Sequence, residues 1–383
     1  MVRFGSASAS TSASATAAAG TIAESPVALS AWNALVRSAA EPSLAADPAW
    51  VLPALRHLDP RRDAIIATEM VNGAPGFVAV LRKTRWRWGI PCPVLTSWSH
   101  AHHFLGTPLV NEKDGFAGFT KLFSRGLPVL WTRLPLEGAA MAQIEAAAQG
   151  SGAQVSVTNR HERACYRPDG RFEERFKATV SRHRRKEFRR LRARLAEQGD
   201  LRFTALCQGD RLDPWFDQFE ALEASGWKGR RGSALAQDEP SALFLREAGY
   251  RLAAEGRLMF WALTLDDRPV AMLWAMISGR RAWLGKIAYD ETLARSSPGV
   301  LLMLEATAAL DRQTAVDLVD SCATPDHGMI NHLWRDRLAI GDVLVTPPGF
   351  SKFLHRLLVL AEQSRTLAAC RLRRLKHSLI RKN

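Results

Sequence analysis

No apolar run in this chain approaches the roughly 20 residues that a membrane-spanning helix needs, so no such helix is expected. The first 20 residues are rich in Ser, Ala and Thr and low in complexity. They lack the apolar block of a secretory signal, which makes 1–22 a disordered tail and the cytoplasm the default compartment. Cysteine is scarce. The five (Cys92, Cys165, Cys207, Cys322, Cys370) are odd in number and form no C-x-x-C pair, which argues against a disulfide framework and a structural zinc site. His100, His102 and His103 have no acidic or Cys partner at ligand spacing, so no metal is expected there. Negative charge is also in deficit, with 38 Asp and Glu against 52 Lys and Arg.

What is present is a packed globular composition, 47% apolar and 23% charged, in 383 residues that leave room for two domains. The positive charge is concentrated. Residues 171–194 hold eleven Lys and Arg against Glu173, Glu174 and Glu187, and residues 352–382 hold nine against Glu362. Such fields attract nucleic acid, anionic lipid or a phosphorylated small molecule. Residues 350–383 read as a basic helix with an apolar stripe of Phe353, Leu354, Leu357, Leu358 and Leu360. That face either docks on the body or lies on an anionic membrane surface.

Periodicity predicts helices over 26–37, from Pro48 with Asp47 as cap, and over 115–123 and 136–149. Strands are expected at 64–68, 77–81, 128–134 and 154–158, the first two joined by the Asn72-Gly73 turn. A second pass of the same rhythm follows. It has a long basic helix over 172–198, a strand at 201–206, a helix at 215–224, and a hairpin of 258–265 with 269–278 around Asp266-Asp267. A short strand at 316–319, a helical segment at 329–337 and a last strand at 343–345 complete it. Residues 82–103, where Trp86, Trp88 and Trp98 alternate with cations, read as a strand and long loop at a domain seam.

The stretch 282–308 organises the second half. Trp283, Gly285, Ile287 and Tyr289 alternate as a strand, 290–295 is polar, and Ser296-Ser297-Pro298-Gly299 opens the helical run Val300-Leu301-Leu302-Met303-Leu304. A helix N-terminus delivered by a strand favours an anion, and Gly299 permits close approach to the backbone. Upstream, Gly226, Gly229 and Gly232 surround Trp227, Lys228, Arg230 and Arg231, a loop able to bring an aromatic face and positive charge to a ligand.

The Arg-rich helix over 180–195, the GWKGRRGSAL loop, the GKIAYDE strand end, the SPGVLL helix start and the later VDSC…H…LW segment form an ordered set. Together they resemble the CelD/BcsL-like acetyltransferases of the GNAT superfamily, some of them linked to cellulose and exopolysaccharide production. The resemblance covers about 171–346, and the duplicated rhythm is similar to the FemAB-type tandem arrangement. It implies an α/β (α+β) fold of two tandem GNAT-like mixed-sheet domains with flanking helices. The expected division is an N-terminal GNAT-like domain at 23–165, a C-terminal acetyltransferase domain at 166–349, and the basic helix after it.

The resemblance further implies an acyl-CoA, acetyl-CoA first, as co-substrate. The acceptor is an amine or hydroxyl of a sugar or cell-envelope precursor. Arg295, Ser296, Ser297, Gly299, Val300 and Leu301 hold the diphosphate, with Arg295 replacing the donor lost at Pro298. Trp227, Lys228, Arg230, Arg231, Lys286 and Asp290 face the substrate. Asp320, at a carboxyl strand end, His327 and Tyr289 are the candidates for proton transfer. Two alternatives stand beside this reading: a FemAB-like aminoacyl transferase using charged tRNA, motivated by the basic helix, and a non-catalytic accessory protein of polysaccharide synthesis.

Overall fold

The computed structural model describes residues 26–380 except 114 and 233. The tail at 1–22 lies outside the described residues. The first half opens with α1 (Pro26–Ser38) and α2 (Pro48–Leu58). Asp47 caps α2 as expected, accepting a hydrogen bond from Ala49 N at 3.0 Å with Pro48 at the first helical position. Next come β1 (Ala64–Val71), β2 (Ala74–Thr84), β3 (Val94–Ser97) and β4 (Leu109–Val110). The half ends with α3 (Gly115–Phe123), β5 (Val129–Pro135), α4 (Ala139–Ser151) and β6 (Gln154–Tyr166).

The second half begins with two helices, α5 (Phe172–Thr179) and α6 (Arg182–Ala196), where one long helix is predicted. The break has a local cause: Val180 is extended and buried, and Ser181 caps α6 by accepting from Arg184 N at 3.3 Å. Phe188, Leu191 and Leu195 bury one face of α6, and its arginines stay on the other. Then follow β7 (Leu201–Ala205), α7 (Asp213–Ser225), the short α8 (Trp227–Arg230) and α9 (Glu239–Ala254), a helix the pattern reading passes over. The antiparallel strands β8 (Leu258–Leu265), β9 (Arg268–Ser278) and β10 (Arg281–Tyr289) lead to α10 (Pro298–Asp311). The half closes with β11 (Leu318–Asp320), α11 (Gly328–Leu333), β12 (Asp336–Thr346) and α12 (Lys352–Ile380). The helix predicted over 329–337 therefore stops at Leu333, and the last strand starts seven residues earlier than predicted.

All twelve strands among the described residues form one mixed sheet in the order β1-β2-β3-β5-β12-β6-β11-β10-β9-β8-β7, with β4 pairing on β2. Read inward from either edge, an antiparallel meander reaches a parallel pair: β3 with β5 in one half, β10 with β11 in the other. The halves thus repeat as tandem mixed-sheet units, and their last strands are exchanged. β6 of the first half pairs with β11 of the second, β12 of the second pairs with β5 of the first, and β6 and β12 pair with each other from Gln154–Thr346 to Cys165–Asp336.

Buried ions bind the halves together. Asp47, fully buried, receives Arg257 at 2.5 Å and Ser278 Oγ at 2.6 Å. Glu41 accepts from Ala140 N at 3.0 Å and lies 3.4 Å from Arg281; its burial pushes its carboxyl pKa up. α12 docks through His355, Leu358 and Glu362. Glu362 accepts from Arg87 at 2.8 Å and from Trp88 Nε1 at 2.8 Å. Against the rise that burial alone would cause, hydrogen bonds from Arg87 and Arg365 hold the Glu362 carboxyl at about 2. The stripe Phe353, Leu354, Leu357 and Leu360 does not dock. It faces solvent, and Phe353 is 73% exposed.

Candidate active site

The parallel pairing of β10 with β11 lasts three residues, from Arg281–Leu318 to Trp283–Asp320. Beyond it β10 runs on to Tyr289 while β11 ends at Asp320 and its backbone turns away at Ser321, so the sheet splits. The split opens into a cleft of about 360 Å³. Leu284, Gly285, Lys286 and Ile287 form one wall, 321–324 the other, and Trp274 of β9 the floor. Met303 of α10, Leu245 of α9, His327 and the first-half residues Ala101, His102 and Phe104 complete it.

A β-bulge sits in the first wall. The β9–β10 register passes from Leu284–Ala275 to Ile287–Leu273, so Gly285 and Lys286 both stand opposite Trp274. Gly285 is required by packing: a Cβ there would meet Trp274 Cε2 at 2.6 Å. The bulge takes main-chain amides out of the ladder at the mouth of the cleft. The buried indole N–H of Trp274 also has no partner among the described residues.

Charge at the site is arranged around one buried carboxylate. Glu223 of α7 accepts from Lys228 at 2.7 Å and from Leu235 N at 2.7 Å, and Lys286 lies 3.6 Å away. Burial raises the Glu223 pKa, but its lysine and amide partners lower it further, to a net value below the ordinary one. Burial depresses the Lys286 ammonium. The Gly-rich loop is tied down as well, because Glu291 accepts from Trp227 N at 2.6 Å and pairs with Arg230. Arg231 lies over the Trp227 ring. Of the expected substrate cations, Lys228, Arg230 and Lys286 thus have carboxylate partners. Asp290 accepts from Thr292 N at 2.9 Å as a helix cap and pairs with Arg268.

Asp320 is completely buried beneath the cleft, ion-paired with Arg163 of the exchanged strand β6 and accepting from Cys322 N at 2.9 Å. Cys322, at φ 54°, turns the chain into the cleft, and burial and Asp320 push its thiol well above the usual range. That is the environment of an inert thiol, not of a nucleophile. His327, exposed on the rim, caps α11 through Nδ1. Tyr289 lies against the start of α10, its Cδ1 3.3 Å from where a Gly299 Cβ would be. At that helix start Ser297 takes φ 47° and makes no side-chain cap. Pro298 has no amide, and those of Val300 (3.0 Å) and Leu301 (3.2 Å) point at Ser297 O. The amide of Gly299, a buried residue, has no partner among the described residues. Ser296 is buried and Arg295 exposed. Among the described residues no group of three His, Cys, Asp or Glu could hold a metal ion.

The equivalent split in the first half is filled. Gly106 lies between β3 and β5, where a Cβ would meet Thr132 O at 2.4 Å and Ser97 Oγ at 2.6 Å. Its amide donates to Arg133 O at 3.3 Å, and Ser97 Oγ accepts from Thr132 N at 3.1 Å. The loop that plugs this split is the one that carries His102 into the open split of the second half. Sequence reading places His102 at a seam but gives it no acidic or Cys partner nearby, because Ser241, through which it reaches Asp238, lies 139 residues away.

Residues 182–327 match the acetyltransferase (GNAT) domain family. That segment is a GNAT acyltransferase domain, and it contains the open split and most of its lining. No curated protein matches the chain. Among solved structures, FemX is similar at 10% identity and a TM-score of 0.54, over 86% of this chain and 98% of that one. A conserved protein of unknown function from Bacteroides thetaiotaomicron is similar at 12% identity and 0.51, over 83% and 97%. L-PGS from Bacillus licheniformis is similar at 11% and 0.50, over 88% and 96%. These likenesses extend across both halves and show a shared fold.

Proposed function

We propose that the protein is an acyl-CoA-dependent N- or O-acyltransferase whose chemistry takes place at the open split of the second half. The observation that carries this reading is the contrast between the two splits: one open, bulged and lined with polar groups, the other closed by its own backbone. The acyl carbonyl lies against the Gly285–Lys286 bulge, where amides outside the ladder and the Trp274 N–H offer fixed donors to developing negative charge. The diphosphate lies at the start of α10, on the Gly299 amide with Arg295 beside it. Bound there, acyl-CoA supplies an activated thioester; this chain's residues position it and exclude water. A cleft of this size also takes a sugar-sized amine or hydroxyl acceptor, in keeping with a cell-envelope or polysaccharide precursor.

Calorimetry with acetyl-CoA tests the donor, and thiol release with a panel of amino sugars tests the transfer. Binding by the full-length protein, lost in Gly299→Asp, is expected. Gly285→Val should lower turnover more than 100-fold, the scale of a lost oxyanion donor. No binding by any acyl-CoA would sink the reading. The exposed arginines of α6 favour one second reading, transfer from a charged tRNA. A gel shift with bulk tRNA that weakens steeply with salt would support it.

We also infer that α12 is a membrane contact. Phe353, Leu357, Leu360 and Leu367 recur at helical spacing on the face opposite the docked one, with Lys352, Arg356 and Arg371 on the same helix. An apolar stripe with neighbouring cations complements an anionic bilayer surface.

A further inference from the structure

His102 reaches the cleft from the first half and is held there by a chain of hydrogen bonds ending in a carboxylate. Its Nε2 lies 2.9 Å from Ser241 Oγ, in the first turn of α9, and Ser241 Oγ lies 2.6 Å from Asp238 Oδ2. The proton positions follow from valence. A carboxylate only accepts, so Ser241 spends its single hydroxyl proton on Asp238. Its oxygen can then only accept from His102, which fixes the Nε2–H tautomer. Nδ1 is left with a lone pair and no partner among the described residues, on a ring that lines the cleft. The ring stacks on Phe244, with centroids 5.6 Å apart, and its backbone amide donates to His100 Nδ1 at 3.3 Å, so its orientation is set from both sides.

We propose that His102 is the general base of the transfer reaction, oriented by Ser241 and Asp238, so that the first half completes the active site of the second. This rests on the acyltransferase reading and names the residue that takes the proton. The acceptor's nitrogen or oxygen forms a bond to the thioester carbonyl carbon, and its proton passes to Nδ1. The carbon–sulfur bond breaks, and the thiolate leaves and recovers a proton from the imidazolium or from water. The imidazolium is stabilised through Nε2–H by the Ser241 oxygen, which Asp238 polarises. No oxidant or metal is needed.

The charged and titratable groups facing the ring are Lys286 on β10, Glu223 on α7, Asp238, and His100 on its own loop. Burial first, then Lys286, lowers the ring's pKa to about 4, against the opposing pull of Asp238 and Glu223. The resting ring is therefore neutral at pH 7, the state a base requires. Activity should be present above this pKa and lost as pH falls through it. Removing the Asp238 charge should move that limb to lower pH.

Two measurements on the full-length protein test the proposal. Long-range ¹H–¹⁵N spectra of histidine-labelled protein should show His102 as the Nε2–H tautomer with unprotonated Nδ1 at pH 7. An Nδ1–H tautomer overturns the proposal, whatever the donor turns out to be. In thiol release with acetyl-CoA and amino sugars, His102→Gln should lower kcat 100-fold or more, with acetyl-CoA binding by calorimetry unchanged. Ser241→Ala should lower it about 10-fold and displace the acid limb. A His102→Gln enzyme within threefold of wild type also overturns it. Failure of wild-type protein to bind acetyl-CoA counts against the donor reading alone, and the tautomer still decides the base.

Discussion

Lys286 Nζ lies 3.6 Å from Glu223 Oε1, on the wall of the open split. Glu223 also holds Lys228, so one buried carboxylate serves two partly buried ammonium groups and the amide of Leu235. Glu223→Gln keeps the shape and can still accept from Leu235 N, but removes the negative charge that lies beside Lys228 and Lys286. Removing one partner of a buried pair costs about 3–5 kcal/mol, and partial solvation of the lysines places the expected loss near the lower end. Urea unfolding at pH 7 measures it. A loss below about 1 kcal/mol would show that the lysines find water as good a partner.

Glu362 gives a pH signature of its own. Its folded pKa of about 2 lies below the ordinary glutamate value of about 4.3. A depressed carboxyl contributes stability that is full above the unfolded pKa and lost as pH falls toward the folded one. Glu362→Gln should therefore be about 3 kcal/mol less stable than wild type at pH 7, with the gap narrowing between pH 5 and 2. Denaturant midpoints at several pH values test this, and a gap independent of pH would contradict it.

Legibility in the sequence followed the range of the interactions. Asp47 with Pro48, the helix over 115–123 and the hairpin around Asp266-Asp267 were readable because caps, periods and turns act within a few residues. The duplicated rhythm gave the tandem layout. The split of the basic helix at Val180 was not readable, since a single buried valine and a serine cap interrupt an otherwise continuous helical pattern. The full length of β6 was hidden because 159–163 is polar, and its pairing partner is supplied by β12 far along the chain. At the site, Lys286 and His327 were picked out and do line the cleft, whereas His102 was passed over because Ser241 and Asp238 meet it only in the folded chain.

The solvent-facing stripe of α12 predicts binding to vesicles. Liposomes with a quarter anionic lipid should pellet the protein at low salt, and neutral liposomes should pellet much less. Leu357→Glu with Leu367→Glu should abolish pelleting and leave stability within about 0.5 kcal/mol, as exposed substitutions usually do. Pelleting unaffected by the double substitution would place the contact elsewhere.

The exchange of β6 and β12 makes a stronger demand on the chain. A fragment ending at Tyr166 would carry β6 without β11, and its β5 would lack β12. The complementary fragment would carry β12 with neither of its neighbours. Each alone leaves interior strands with unpaired edges, which drives aggregation rather than folding. Produced separately, 1–166 and 167–383 should be insoluble or lack a cooperative melt. Produced together, they should assemble into a one-to-one complex with the circular dichroism of the intact chain. The intact protein should unfold in one transition, because neither half has a complete sheet to retain when the other opens. A fragment that melts cooperatively as a monomer would mean that each half can recover its own last strand.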